Sequence, residues 1–201
     1  MTSWLHEERL TAVLAAVRES GARRVLDLGC GDGDLFVRLA QEPRIEVLIG
    51  LDIDAGALRR LETRLAAAAV HVPRVDVRLA SMIDPPPDLA GYDCAVLVET
   101  IEHIDPDKLS KLENALFRTL RPGRVLITTP NAEFNPLLGV PPQRMRHPDH
   151  RFEWDRAKFR KWGRRVAGVA GHDVHFHDIA GAHPDLGGAS QMAVFARRQA
   201  G

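Results

Sequence analysis

Five consecutive residues, Glu99-Thr100-Ile101-Glu102-His103, bring two carboxylates and an imidazole into one short stretch. They follow the apolar run Cys94 to Val98, which reads as a buried strand. They precede Asp105-Pro106, which reads as the N-cap and first position of a helix. One helical turn across this connection would put Glu99, Glu102 and His103 on one face, at i, i+3 and i+4. Oxygen and nitrogen donors gathered in that way can hold a divalent cation. A solvated polar loop, or a cap ordering the next helix, accounts for the same residues without an ion. The rest of the chain has to decide between these readings.

A second constellation lies upstream. Gly29-Cys30-Gly31-Asp32-Gly33 directly follows a short apolar run from Val25 and opens a helix. In a doubly wound sheet that position is a ligand crevice outside the strand ends. The spacing is G-x-G-x-G rather than the G-x-G-x-x-G of dinucleotide folds, and Asp27 precedes it. A carboxylate there would repel a pyrophosphate but could pair with an ammonium group. Asp52, closing the apolar run from Val47, is placed to accept hydrogen bonds from a ribose diol.

The elements that must position these residues alternate along the chain. Leu10, Val13, Leu14 and Val17 predict an amphipathic helix over 5–19, closed by Ser20-Gly21. Strands are predicted at 25–29, 47–51, 75–79, 94–98, 124–129, 172–179 and 191–196. Helices are predicted after Gly33 (through Leu35, Phe36 and Leu39), at 54–69, at 106–119 and at 156–168, the last with Asp155 as N-cap. Such alternation implies crossover connections and a mostly parallel sheet covered on both faces. The 201 residues suit one domain, 1–201. From Pro130 to Trp154 the apolar periodicity stops, and Pro130, Pro136, Pro141, Pro142 and Pro148 argue against regular structure. A loop of that length, about 130–155 and carrying histidines and aromatics, reads as an insert with a task.

Lys plus Arg and Asp plus Glu both number 27, so whole-chain charge predicts no partner, and 45% apolar residues are ordinary for a globular protein. Cys30 and Cys94 make no disulfide framework, which suits a reducing cytoplasm. Met1 to Arg9 is polar and charged, and no run of about 18 apolar residues occurs, so a cytoplasmic protein without a membrane partner is expected. Local charge is uneven. Between 144 and 165, Arg144, Arg146, Arg151, Arg156, Lys158, Arg160, Lys161, Arg164 and Arg165 face Asp149, Glu153 and Asp155, leaving +6 there and −6 elsewhere. A one-sided basic patch grips phosphates without reading sequence, although a solvated helix face carries the same charges.

Asp27, Gly29, Gly31 and Asp52, set in this alternation, resemble the class I S-adenosylmethionine-dependent methyltransferases. The resemblance implies a Rossmann-like, doubly wound, mostly parallel seven-stranded α/β sheet with helices on both faces. It also implies a glycine loop against the amino-acid end of S-adenosylmethionine, with Ser81-Met82 beside the adenine and Arg9 helping to hold the cofactor carboxylate. Glu-x-x-Glu-His, with Leu-Arg-Pro-Gly (120–123) and Thr-Thr-Pro-Asn (128–131), is also similar to metal-independent small-molecule O-methyltransferases of quinone biosynthesis.

The long loop favours another branch. Arg146-His-Pro-Asp-His-Arg-Phe-Glu-Trp154 resembles the signature of the RNA 3′-terminal 2′-O-methyltransferases, which act on small RNAs in eukaryotic silencing and in bacterial RNA repair. Phe159, Trp162 and Gln191-Met-Ala-Val-Phe195 continue the likeness. It implies a divalent metal held by Glu99, Glu102, His103 and His150, with His147 as a rival fourth ligand, a residue supporting the ligands, or a base. Two carboxylates and two imidazoles point to Mn²⁺ first and Mg²⁺ second. The implied substrate is an RNA 3′ end with a free 2′,3′-diol, which could chelate such an ion and so be both selected and activated. Partners would be RNA and proteins of RNA-repair or small-RNA pathways, not DNA. His103 and His147 both remain open as the base. Few aromatics argue against an extended base-stacking surface, so recognition should concern the end nucleotide. His172, His175 and His177 read as surface residues. A non-enzymatic module that holds RNA ends is the third reading, and the intact Asp27, Gly29, Gly31 and Asp52 weigh against it.

Overall fold

The computed structural model describes residues 4–198. Seven strands form one sheet: β1 (Arg24–Leu28), β2 (Val47–Asp52), β3 (Arg74–Leu79), β4 (Cys94–Val98), β5 (Arg124–Pro130), β6 (His172–Ile179) and β7 (Ser190–Arg197). Their spatial order is β3-β2-β1-β4-β5-β7-β6. β1 to β5 run parallel, and β7 enters antiparallel between β5 and β6. β1 and β4 are neighbours whose successors lie on opposite sides, so a crevice opens beyond their C-terminal ends. Gly29 and Glu99, the first residues past those two strands, both stand there.

Burial explains the strands. Val25, Leu26 and Leu28 of β1 and Cys94 to Leu97 of β4 are fully buried, as continuous apolar runs must be when both faces are covered. Alternate residues serve two cores. On one face α1 (Trp4–Ser20), α2 (Phe36–Ala40) and α3 (Ala55–Ala66) contribute Leu10, Val13, Phe36, Leu39 and Leu61. On the other, α4 (Leu109–Asn114) and α5 (Arg156–Ala170) contribute Leu112, Phe159, Trp162 and Val166. Gly50 in β2 makes room for α2, because a Cβ there would lie 2.7 Å from the Phe36 ring. Asp155 caps α5 as expected, accepting a hydrogen bond from the Lys158 N–H at 2.7 Å. No helix among the described residues is long and apolar enough to cross a membrane.

Three local expectations need correction. The helix expected at 106–119 is a 3₁₀ turn (Pro106–Lys108), then α4, then a π-helical turn (Ala115–Leu120) that Arg121 ends in the left-handed region at φ 49°. Asp105 does not cap it with its side chain, because that carboxylate pairs with Lys108 Nζ at 2.7 Å and with Arg151 Nε at 3.5 Å. Pro130 does not exclude regular structure either. It is the last residue of β5, opposite Ser190, a strand end where a missing N–H is tolerated. Beyond it, Ala132–Leu138 winds as a 3₁₀ segment started by Asn131, whose side chain accepts from the Glu133 N–H.

Candidate functional site

Gly29, Asp52, Ser81 and Met82 line one cavity of about 200 Å³. Gly29 has φ +83°, and a Cβ on it would lie 2.4 Å from Thr100 Cγ2, so only glycine fits. The Gly31 N–H donates to Asp52 Oδ2 at 2.8 Å, while Asp52 Oδ1 accepts from the Asp54 N–H at 2.9 Å. The loop therefore holds the carboxylate expected at a ribose. Asp27 is 2% exposed, and one of its oxygens is buried without a partner. Burial, then the nearby Asp52 charge, pushes its carboxyl up to about 7. A positive group beside Asp27 would relieve both effects. The Arg9 guanidinium lies 3.3 Å from Glu99 Oε2, donates to Ser190 Oγ at 3.1 Å and lies 3.4 Å from His6 Nδ1, whose other nitrogen pairs with Asp34 at 3.0 Å.

The connection after β4 does make one turn, a tight 3₁₀ turn over Ile101–His103. Glu99 enters it with φ +51°, backbone strain of the kind concentrated at working sites. Glu99 Oε1 accepts from Thr128 Oγ1 at 3.0 Å, and Oε2 from Ser190 Oγ at 3.3 Å. Glu102 is fully buried. Its Oε2 accepts from Thr129 Oγ1 at 3.0 Å, whereas Oε1 has no partner. Burial, then the Glu99 charge, raises its carboxyl well above the ordinary range.

From the long loop come two more imidazoles. Ring nitrogens of His103, His147 and His150 all lie within 4.8 Å of one another. His150 is nearly buried, with Nδ1 2.6 Å from Glu153 Oε1. Burial alone would raise Glu153, but hydrogen bonds from Asn135 and His150 outweigh it and hold the carboxyl below its usual value. Burial, and then His150 and His147, lower the basicity of His103. Three imidazoles so gathered are donors a divalent cation takes, so these residues fit a metal, whereas Glu99 and Glu102 stand outside the group of three. The structure draws His147 into the imidazole group, while Glu99 is occupied by Arg9, Thr128 and Ser190. His103 also lines the cofactor crevice, so one side chain joins the two sites.

Sequence reasoning missed the scaffold beneath these groups. Thr128 and Thr129, a polar pair closing an apolar strand, were the legible signal for the carboxylate anchors. Glu153 and Arg146 gave less. The half-buried Arg146 donates to Asn135 Oδ1 at 2.5 Å, to the Ala189 carbonyl at 2.6 Å and to the Asn131 carbonyl. The basic patch is likewise smaller than its charge count. Arg151 pairs with Asp105, Arg156 with Glu133 and Asp178, Arg160 with Asp178, Lys158 with Asp155 and Arg165 with Glu113. Among the described residues, Arg144, Lys161 and Arg164 keep their charge without an ion pair, Arg164 lying over the Phe176 ring. His175 and His177 lie on the sheet face toward α1, but His172 is buried, its Nδ1 2.8 Å from the Ala170 carbonyl, which corrects its reading as a surface residue.

Comparison with known proteins places this geometry. The family described as "Methyltransferase domain" matches residues 25–123. The small RNA 2′-O-methyltransferase of Xenopus tropicalis is 34% identical over 203 residues, covering 96% of this chain and 55% of that protein. The Rattus norvegicus protein of the same name is 35% identical over 202 residues, covering 95% and 50%. The chain thus spans about half the length of the curated relatives it matches. The crystal structure of the methyltransferase domain of bacterial CtHen1-C superposes with TM-score 0.86 at 34% identity, covering 97% of this chain and all of that one. This chain belongs to the methyltransferase-domain family of the small RNA 2′-O-methyltransferases.

Proposed function

We propose that the chain transfers the methyl group of S-adenosylmethionine to the 2′-hydroxyl of the 3′-terminal nucleotide of an RNA, with a divalent cation, Mn²⁺ or Mg²⁺, as cofactor. The observation that carries this reading is the unpartnered buried oxygen of Glu102, next in sequence to an imidazole that belongs to the three-histidine cluster and also lines the cofactor crevice. Glu102, His103 and His150 would hold the ion, with the His147 ring at the same cluster, and Glu99 would join them by exchanging its Arg9 pair for the cation. Bound there, a cation would lower the pKa of a chelated ribose hydroxyl and favour its alkoxide. Asp27 would pair with the cofactor ammonium, Asp52 with its ribose, and Ser81-Met82 would flank its adenine.

In the transfer, the bond from the 2′ oxygen to the methyl carbon forms as the carbon–sulfur bond breaks. Sulfur keeps the electron pair, and the hydroxyl proton leaves to an imidazole of the cluster, His103 or His147. Holding the two reactants in line supplies much of the acceleration. The test compares labelled methyl transfer to one RNA ending in a 2′,3′-diol, in 2′-deoxy or in 3′-deoxy. Labelling of the diol end alone, abolished by a chelator and restored by Mn²⁺, is expected. Equal labelling of the 2′-deoxy end, or full activity in chelator, contradicts the reading.

A further inference from the structure

A groove of about 820 Å³ beside the histidine loop takes no part in the steps above. Phe152 and Trp154, stacked with ring centroids 4.4 Å apart and only partly buried, supply its aromatic lining. Arg144 and Lys158 line it as well, and both are exposed. Arg144 makes no ion pair among the described residues, and the ammonium of Lys158 lies 3.7 Å from Asp155. The only acidic residue in the lining is already satisfied. Glu153 Oε1 accepts from the Arg146 N–H at 2.7 Å and faces His150 Nδ1, and Oε2 accepts from Asn135 Nδ2 at 2.6 Å. The groove therefore presents positive charge and aromatic surface, and Glu153 is a wall common to it and the imidazole cluster.

We propose that this groove receives the penultimate nucleotide of the RNA, with its base against Phe152 and Trp154 and the phosphate that links it to the terminal sugar between Arg144 and Lys158. The inference rests on the reading of the imidazole cluster as the seat of the terminal ribose. A strand that starts there continues into adjoining space, and the groove across Glu153 has the matching chemistry. Every base has a π-face, so stacking of this kind is tolerant of sequence, while guanidinium and ammonium groups meet the phosphate. Met145, 43% exposed at the rim, gives an adaptable apolar edge.

The experiment compares two diol-ended RNAs, one intact and one abasic at the penultimate position, as substrates of the wild-type chain and of Arg144→Glu/Lys158→Glu. Removing that base should raise KM about 10- to 100-fold with little change in kcat. The double variant should raise KM for intact RNA about 10-fold or more and weaken its salt dependence, with an unchanged melting temperature. Equal KM for the two RNAs, with the double variant matching wild type, would overturn the groove assignment while transfer to RNA ends stands. No transfer to either RNA overturns the reading of the cluster, and the groove assignment falls with it.

Discussion

Replacing Asp27 by Asn should produce opposite effects on the free and the cofactor-bound protein. In the free protein the Asp27 carboxyl is raised from 3.8 to about 7, chiefly by burial and then by Asp52. At about 1.4 kcal/mol per tenfold change, ionising it in place costs on the order of 4 kcal/mol. The folded state holds this proton more tightly than the unfolded chain. Stability is therefore full below about 4, falls as pH rises, and levels off above about 7. Asn carries no such penalty, so the free variant should melt higher than wild type at pH 8 and lose most of that slope. Binding a cofactor ammonium should reverse the preference and expel the proton. Wild-type affinity for S-adenosylmethionine should then rise up to about tenfold per pH unit until about pH 7, then flatten. The variant should bind about 10- to 100-fold more weakly at pH 8, the worth of a hydrogen bond to a charged group, and show no such pH dependence. Titration calorimetry and thermal melts between about pH 5.5 and 8.5 read both quantities against the pKa logic. Wild-type affinity flat between pH 6 and 8, or an Asn variant that binds as tightly as wild type, refutes the reasoning.

Other outcomes follow from the same geometry. Gly29→Ala should cost about 1–3 kcal/mol of stability and most cofactor affinity, because its Cβ meets Thr100 at 2.4 Å and φ is +83°; thermal melts with and without S-adenosylmethionine check it. Arg146→Ala removes the guanidinium hydrogen bonds to Asn135 Oδ1 and to the carbonyls of Asn131 and Ala189, which keep only their backbone donors, and should cost about 1–3 kcal/mol, with new protease sensitivity within 131–154. Charge reversal at Lys161 and Arg164 should weaken RNA binding more than Arg165→Ala, whose guanidinium already answers Glu113 at 2.6 Å; filter binding at two salt concentrations separates them.

The parts of this fold that could be read in the sequence are those where neighbouring residues settle the physics. Runs such as Val25 to Leu28 read as buried strands, and Gly29 and Gly31 announce backbone that turns through positive φ, at Gly29 also against Thr100. The turn after β4 was legible because its spacing is local, although it begins only at Ile101 and leaves Glu99 outside it in the left-handed region. What escaped depends on partners remote in the chain. Five of the nine cations between 144 and 165 are paired with acids, four of them with Asp105, Glu113, Glu133 or Asp178, contacts that no spacing reveals. Arg9 goes to Glu99 for the same reason, since α1 crosses to β7 only in the folded sheet. The break in the 106–119 helix follows from Arg121, whose N–H reaches back to the Leu116 carbonyl at 2.9 Å, a π-type closure that apolar periodicity does not encode.

The central claim is that side chains from the β4 connection and the long loop share one divalent cation. Mn²⁺ binding to the purified chain, followed by electron paramagnetic resonance, tests it without reference to activity. The account predicts about one bound Mn²⁺ per chain, weakened by more than about 100-fold in both Glu102→Ala and His150→Ala. A wild-type chain that leaves Mn²⁺ free in solution, or variants that hold it as tightly as wild type, would contradict it.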